Sequence, residues 1–246
     1  MRTTSLMMIL LLAVTASADD KARTVVEAAI KAHGGDAKLA KLRTMRIKVE
    51  GMLTLTPDRP AVPFTIEDVW QTPDKHRSEL TFSFMDSTIK QVQVVDGPKA
   101  WASINGTVTD MTKEALAEMK EQMYAEELDR LGFLGDKQIQ VSLVDEIKVA
   151  GMPAAGVLVK SAGHRDVKLY FDKKSELLVR REALVHDPES GKEVTQAVDF
   201  ADYAETHGVK HYKTVAVYRD GKKMIEGKVS AVEFLDKVDA RLFAKP

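Results

Sequence analysis

The residues with which this chain could do acid–base or metal chemistry are six histidines and a dense set of carboxylates; it has no cysteine. His207 and His211 are four apart, the separation at which two imidazoles on one helix can share a metal ion. Here they flank Gly208 and run into alternating apolar residues, and no glutamate completes a His-Glu-x-x-His pattern, so they read as turn and strand residues. His164-Arg165-Asp166 pairs a base with a carboxylate that could orient it, and Ser161 is near in sequence. Without a nucleophile elbow the group reads as a polar turn. Asp145-Glu146 and Glu126-Glu127 are adjacent carboxylates, and neighbours in a strand leave on opposite faces, unsuited to paired acid–base work. Gly34-Gly35 lacks the spacing and the preceding strand of a phosphate-binding loop, while Lys173-Lys174 and Lys222-Lys223 are charges at turns. No catalytic set, metal site or cofactor site assembles, so no enzyme activity is expected.

The elements that would have to position such groups are mostly strands. Lys21 to Ala32 predicts a short helix, ended by His33-Gly34-Gly35, with Asp36 capping a second turn through Leu42. From Met45 the period changes to two: Met45, Ile47, Val49, Leu53 and Leu55 alternate with charged or polar residues, and Gly51 marks a bend or bulge. Similar runs follow at Val62 to Gln71, His76 to Phe84, Thr88 to Val95, Lys99 to Ile104 and Thr107 to Asp110. Asn105-Gly106 joins the last two as a type I′ hairpin turn, which accounts for residues that also spell a glycan acceptor, Asn105-Gly106-Thr107. Thr112 to Leu131 is the one long helix, with Leu116, Met119, Met123, Leu128 and Leu131 as an apolar stripe and Glu114, Glu118, Lys120, Glu121, Glu126 and Asp129 on the other side. Strands then resume at Gln138 to Val149, Ala155 to Ser161, Asp166 to Phe171, Leu177 to His186, Lys192 to Glu205, Lys210 to Tyr218 and Lys222 to Phe234, before an apolar anchor at Leu242-Phe243. With about eleven strands and one interrupting helix, the pattern excludes βαβ units and predicts an antiparallel meander, either one strongly curved sheet or two stacked sheets.

Residues 1–18 read as a signal peptide: Arg2 is followed by an apolar core from Leu6 to Val14 and the small-x-small pattern Ala16-Ser17-Ala18. The apolar run is well short of the roughly 20 residues that span a bilayer. The mature part, 19–246, is expected to be one soluble domain, without a cysteine to carry a lipid. The formal charge of -1 becomes -2 once Arg2 is removed, and signs are interspersed, which argues against a nucleic-acid partner. Stability must come from burial and sheet closure, since no disulfide is available.

The helix ending in His33-Gly34-Gly35, the Leu39-x-x-Leu42 turn, the Met45-to-Gly51 strand, the long run of strands broken by one helix, and Val238-Asp239-Ala240-Arg241-Leu242-Phe243 before Pro246 together resemble the LolA/LolB-like superfamily of lipoprotein-sorting proteins. The likeness covers nearly all of the mature chain in element order. It implies an α+β fold, an incomplete β-barrel covered by helices around an apolar cavity, and a soluble periplasmic carrier of a lipid, an acyl chain or a lipoprotein. A monomer is expected, served by a membrane-associated donor or acceptor protein. The residues expected to line the cavity are Leu53, Phe64, Leu80, Phe82, Val94, Leu169 and Phe200 on strands and Leu116, Met119 and Met123 on the helix. The alternative is an envelope sensor or assembly module that binds a partner protein through the same scaffold around a solid interior.

Overall fold

The computed structural model describes residues 18–56, 58–136, 138–187 and 191–246. The expected signal segment, apart from Ala18, lies outside the described residues. The chain starts with helix α1 (Ala18–Ala32) and a single turn, α2 (Asp36–Leu39). The N-cap of α2 is Gly35 and no side chain caps it, so Asp36 is the first residue of the turn rather than its cap.

Period-two alternation then sets the strands. In β1 (Thr44–Leu53), Met45, Ile47, Val49 and Leu53 leave on one face and Arg46, Lys48 and Glu50 on the other. β1 pairs with β2 (Val62–Gln71), and the meander continues through β3 (Lys75–Phe84), β4 (Ser87–Asp96), β5 (Lys99–Ile104) and β6 (Thr107–Asp110). The last hairpin turns on Asn105 at φ 48° and Gly106 at φ 86°, both in the left-handed region that a type I′ turn requires. Helix α3 (Lys113–Leu128) follows, its N-terminus capped by the Thr112 hydroxyl, which accepts from the Ala115 N–H at 3.2 Å. The chain resumes as β7 (Gln140–Val149), β8 (Met152–Lys160), β9 (Val167–Asp172), β10 (Leu178–Asp187) and β11 (Lys192–Ala201). A small hairpin, β12 (Ala204–Thr206) and β13 (Val209–His211), precedes β14 (Thr214–Arg219) and β15 (Lys222–Phe234).

Thirteen strands form one antiparallel sheet in the order β6-β5-β4-β3-β2-β1-β15-β14-β11-β10-β9-β8-β7, and β12-β13 forms a two-stranded sheet of its own. Fifteen strands are present, against the about eleven expected, and two of the expected runs are each broken in two. Asp202, at φ 54°, ends β11 where alternation alone would carry it to Glu205, and the Lys210–Tyr218 run divides around Tyr212-Lys213. The architecture is thus two meanders joined along β1 and β15, the first and last strands of the sheet, with β6 and β7 as its edges. Because α3 links β6 to β7, it carries the chain from one edge to the other.

Register irregularities bend the sheet. Ser230 is the extra residue opposite Lys48/Val49, Met224 lies opposite Val217/Tyr218, and β7 and β10 carry further breaks at Val144/Ile147 and Leu178/Arg180. Gly51 is not itself a bulge: it pairs in register with Gly227 on one side and Phe64 on the other. A Cβ there would run into the Glu226 carbonyl oxygen, so its missing side chain serves a close approach of β15 to β1.

The inner face, which carries the helices, holds the principal core. Val26, Ala29 and Ile30 of α1, Leu128 at the end of α3, and Leu131 and Leu134 in the segment that follows it pack with Val157, Val167, Leu169 and Phe171. On the outer face, Val69, Val92 and Val94 are covered by Phe243 from a 3-10 helix, Ala240–Phe243. The apolar anchor at the end of the sequence therefore seals the outer side, with Phe243 1% exposed.

Candidate functional site

A cavity of about 650 Å³ lies between the inner face and the last turns of α3. Its wall is built from alternate residues of strands on both sides of the β1–β15 pairing: Met45, Ile47, Val49 and Leu53, then Phe64, Ile66 and Trp70, with Val198, Phe200, Val215, Val217, Ile225 and Val232 opposite. These side chains converge because each sits at an inward position of its strand and the strands pair in register, as in the row Phe200–Val215–Gly227–Gly51–Phe64–Phe82. The two adjacent glycines leave the middle of that row without side chains.

Of the residues expected from the sequence, Leu53, Phe64, Leu80 and Phe200 line the cavity. Phe82 is buried beside Phe64 in the same apolar cluster but behind the lining. Leu169 sits in the principal core, fully buried. Val94 lies on the outer face against Phe243, because its strand places Val95, not Val94, inward. Leu116, Met119 and Met123 pack on Val95 and Ala100 of β4 and β5, away from the cavity lining.

The opposite side of α3 is polar, with Glu114 and Lys120 exposed and Glu118 and Glu121 turned toward the sheet. The Glu118 carboxylate accepts from the His186 N–H at 2.9 Å and from Arg165 Nη1 at 2.7 Å. Glu121 accepts from the Arg165 N–H at 2.8 Å and lies 3.0 Å from His164 Nδ1, while Tyr124 stacks on the His164 ring at 3.8 Å between centroids. The turn itself lies at Ala162-Gly163 and is closed by the His164 N–H on the Ser161 carbonyl at 3.2 Å, with Arg165 and Asp166 just beyond it; the His164 imidazole and Arg165 guanidinium are docking points for α3. Burial pushes Glu118 up, but the hydrogen bonds from His186 and Arg165 together hold its carboxyl below the usual value.

Toward the end of α3 the polar groups enter the cavity wall. Trp70 Nε1 donates to Glu126 at 3.2 Å, the Arg130 guanidinium stacks over the Trp70 ring at 4.9 Å, and Arg181 pairs with Asp129. Asp68, His33, Tyr203 and Tyr212 complete this end. Burial lifts the Asp129 carboxyl to about 7, with Arg181 drawing it back and Glu126 pushing it further up. His33 is kept neutral by burial; its Nδ1 contacts the Ala29 carbonyl at 2.8 Å and its Nε2 receives the Leu178 N–H at 3.5 Å, an arrangement that fits the Nδ1–H tautomer. Burial likewise raises Tyr203, whose hydroxyl donates to the Leu178 carbonyl at 2.6 Å, and Tyr212. At the other end of the strands, Arg219, Asp220 and Lys222 line a more exposed rim, with Arg219 3.7 Å from Asp187.

Among the described residues, no group of three or more His, Cys, Asp or Glu side chains could hold a metal ion. His207 lies in a turn, and His211 is held by Thr206 at 3.0 Å. Sequence reasoning passed over the buried polar end. Asp68 was legible, since it occupies an inward position between Ile66 and Trp70; Arg181 was not, because the irregularity at Leu178/Arg180 resets which face each residue of β10 meets.

No protein-family model and no curated protein sequence matches the chain. Solved structures do. An outer membrane lipoprotein-sorting protein domain from Vibrio parahaemolyticus matches with a TM-score of 0.55 at 12% identity, over 92% of this chain and 97% of that one. A LolA superfamily protein from Nitrosomonas europaea matches with a TM-score of 0.56 at 10% identity, over 91% and 97%. A DUF1329 family protein from Desulfovibrio piger gives 0.56 at 11% identity, again over 91% and 97%. Each likeness covers more than nine-tenths of the chain, and the chain has a LolA/LolB-superfamily-like fold, a large antiparallel sheet not closed into a barrel.

Proposed function

We propose that this protein is an exported periplasmic carrier or binding protein that holds a lipid or acyl chain between the inner sheet face and α3. The observation that supports this reading is the cavity of about 650 Å³, which falls within the ~300–1,000 Å³ range of small-molecule sites. Its lining is mostly apolar and is drawn from strands of both meanders. Burial of apolar ligand surface, worth roughly 25 cal/mol per Å², would drive uptake. Membrane-associated donor and acceptor proteins would load and unload it, and the molecule would act as a monomeric single domain.

Native mass spectrometry after gentle extraction from the cell envelope, with titration by a fluorescent fatty acid, tests this. The expected result is a bound lipid-sized mass and saturable, one-to-one uptake. Ligand-free protein together with no uptake overturns it and favours an envelope module that binds a partner protein.

A further inference from the structure

We infer that this cavity takes a ligand with a flat conjugated ring at one end and an aliphatic tail at the other, the ring seated near the end of α3. This rests on the carrier reading above and specifies its ligand.

The lining is not uniform. At the Leu53 end of β1, a cross-strand row runs Val198–Val217–Ile225–Leu53 and is aliphatic throughout. At the Met45 end the row across the same strand is Phe234–Met45–Trp70. Other lining rings belong to that second end. Phe200 and Tyr212 lie 4.8 Å apart between centroids, and Tyr203 meets the His33 ring edge-on at 5.5 Å. Tyr212 is close enough to Asp68 and Glu126 to feel their charge, Glu126 being the acceptor of Trp70 Nε1, and Tyr203 in turn feels Tyr212.

A saturated chain asks only for apolar area, which leucine and valine supply at the Leu53 end. Rings offer more. Each has a negative face and a positive edge, so rings in offset or edge-to-face contact gain affinity beyond the area they bury. These rings are also held in place. The Tyr203 hydroxyl donates to the Leu178 carbonyl at 2.6 Å and Trp70 Nε1 to Glu126 at 3.2 Å. Trp70 is further stacked by His76 at 5.1 Å and by the Arg130 guanidinium at 4.9 Å. A guest ring therefore meets partners that need no further ordering, which lowers the cost of binding. Tyr212 and Phe234 are only half-buried and are the rings a guest would contact first. A tail attached to that ring would follow the aliphatic row toward the Arg219 and Lys222 rim.

The test is displacement of a bound fluorescent fatty acid from the mature protein by three fourteen-carbon alcohols: 4-octylphenol, 4-octylcyclohexanol and 1-tetradecanol. Two aromatic contacts of ordinary strength correspond to about tenfold in affinity. The phenol should therefore displace the probe at concentrations about tenfold lower than either saturated compound. Because a phenol is also the stronger hydrogen-bond donor, Tyr212→Leu and Phe234→Leu isolate the ring. Each should lower the phenol's advantage over tetradecanol about threefold. A thermal melt shows whether the variants fold; if they do not, the wild-type series still decides. A straight chain or saturated ring that binds as well as the phenol overturns the ring site and leaves the carrier reading standing. So does an advantage that folded variants keep in full. No displacement by any member, with no uptake of the probe in the first place, overturns both.

Discussion

Asp129 is the residue on which the chemistry of the interior turns. Burial keeps its carboxyl protonated up to about 7, against an ordinary value of 3.8, while Arg181, Glu126, Arg130 and Glu127 set the local field. The native state therefore keeps a proton that the unfolded chain releases between those two values. Its contribution to stability is full below about 3.8, declines as pH rises toward 7, and is level above. The unfolding free energy of the wild type minus that of Asp129→Asn should fall across this window; a difference independent of pH would contradict the assignment. At Gly51 the constraint is steric. Gly51→Ala drives a Cβ into the Glu226 carbonyl, backbone that cannot swing aside, and should cost about 1–3 kcal/mol, read from the urea midpoint. The glycine was visible in the sequence as an exception to alternation. Its partner Gly227, and hence the reason for the exception, became visible only once β1 and β15 were paired.

At the scale of elements, α3 is a strap with two different faces. Its Leu116, Met119 and Met123 side grips β4 and β5 by packing, and its Glu118 and Glu121 side grips the far meander by hydrogen bonds to Arg165, His164 and the His186 N–H. Most strands and the helix itself could be read from periodicity and turn residues, because these depend on neighbours a few positions away; the breaks that make the β12–β13 hairpin could not. The polar grip could not. Carboxylates on a helix read as a water-facing side unless the partners brought there by a distant loop are known. Arg165→Ala removes the side-chain partner of Glu118, so amide exchange through α3 should accelerate at least about tenfold while β1 to β3 stay protected. Because the Glu118 carboxyl is held below its usual value, its share of the grip is present above pH 4.5 and is lost as pH falls through the lower native value. Exchange that rises equally across the sheet would instead mark global destabilisation.

In the whole molecule, the sheet is complete only when its first and last strands meet. Consecutive strands account for the two meanders and were legible one hairpin at a time. The joint between β1 and β15 lies beyond any local pattern, since it pairs residues such as Met45 and Phe234. Contacts this distant in sequence slow folding, because loop closure must precede them. A chain ending at Asp220 lacks β15 and leaves β1 and β14 as unpaired edges; it should melt without a cooperative transition and associate through those edges. A sharp melt from that fragment would show that each half is self-sufficient.

The same joint gives the molecule a direction of mechanical weakness. The start of β1 and the end of β15 lie side by side, at Met45 and Phe234, and the Leu235 N–H still bonds to the Thr44 carbonyl. A pull applied between these two points would load the ladder from one end, parting its rungs in succession rather than all at once. Tension drawn through the two ends of the sheet would therefore peel the meanders apart along the centre line of the cavity wall, spilling whatever lay between them at the first yield.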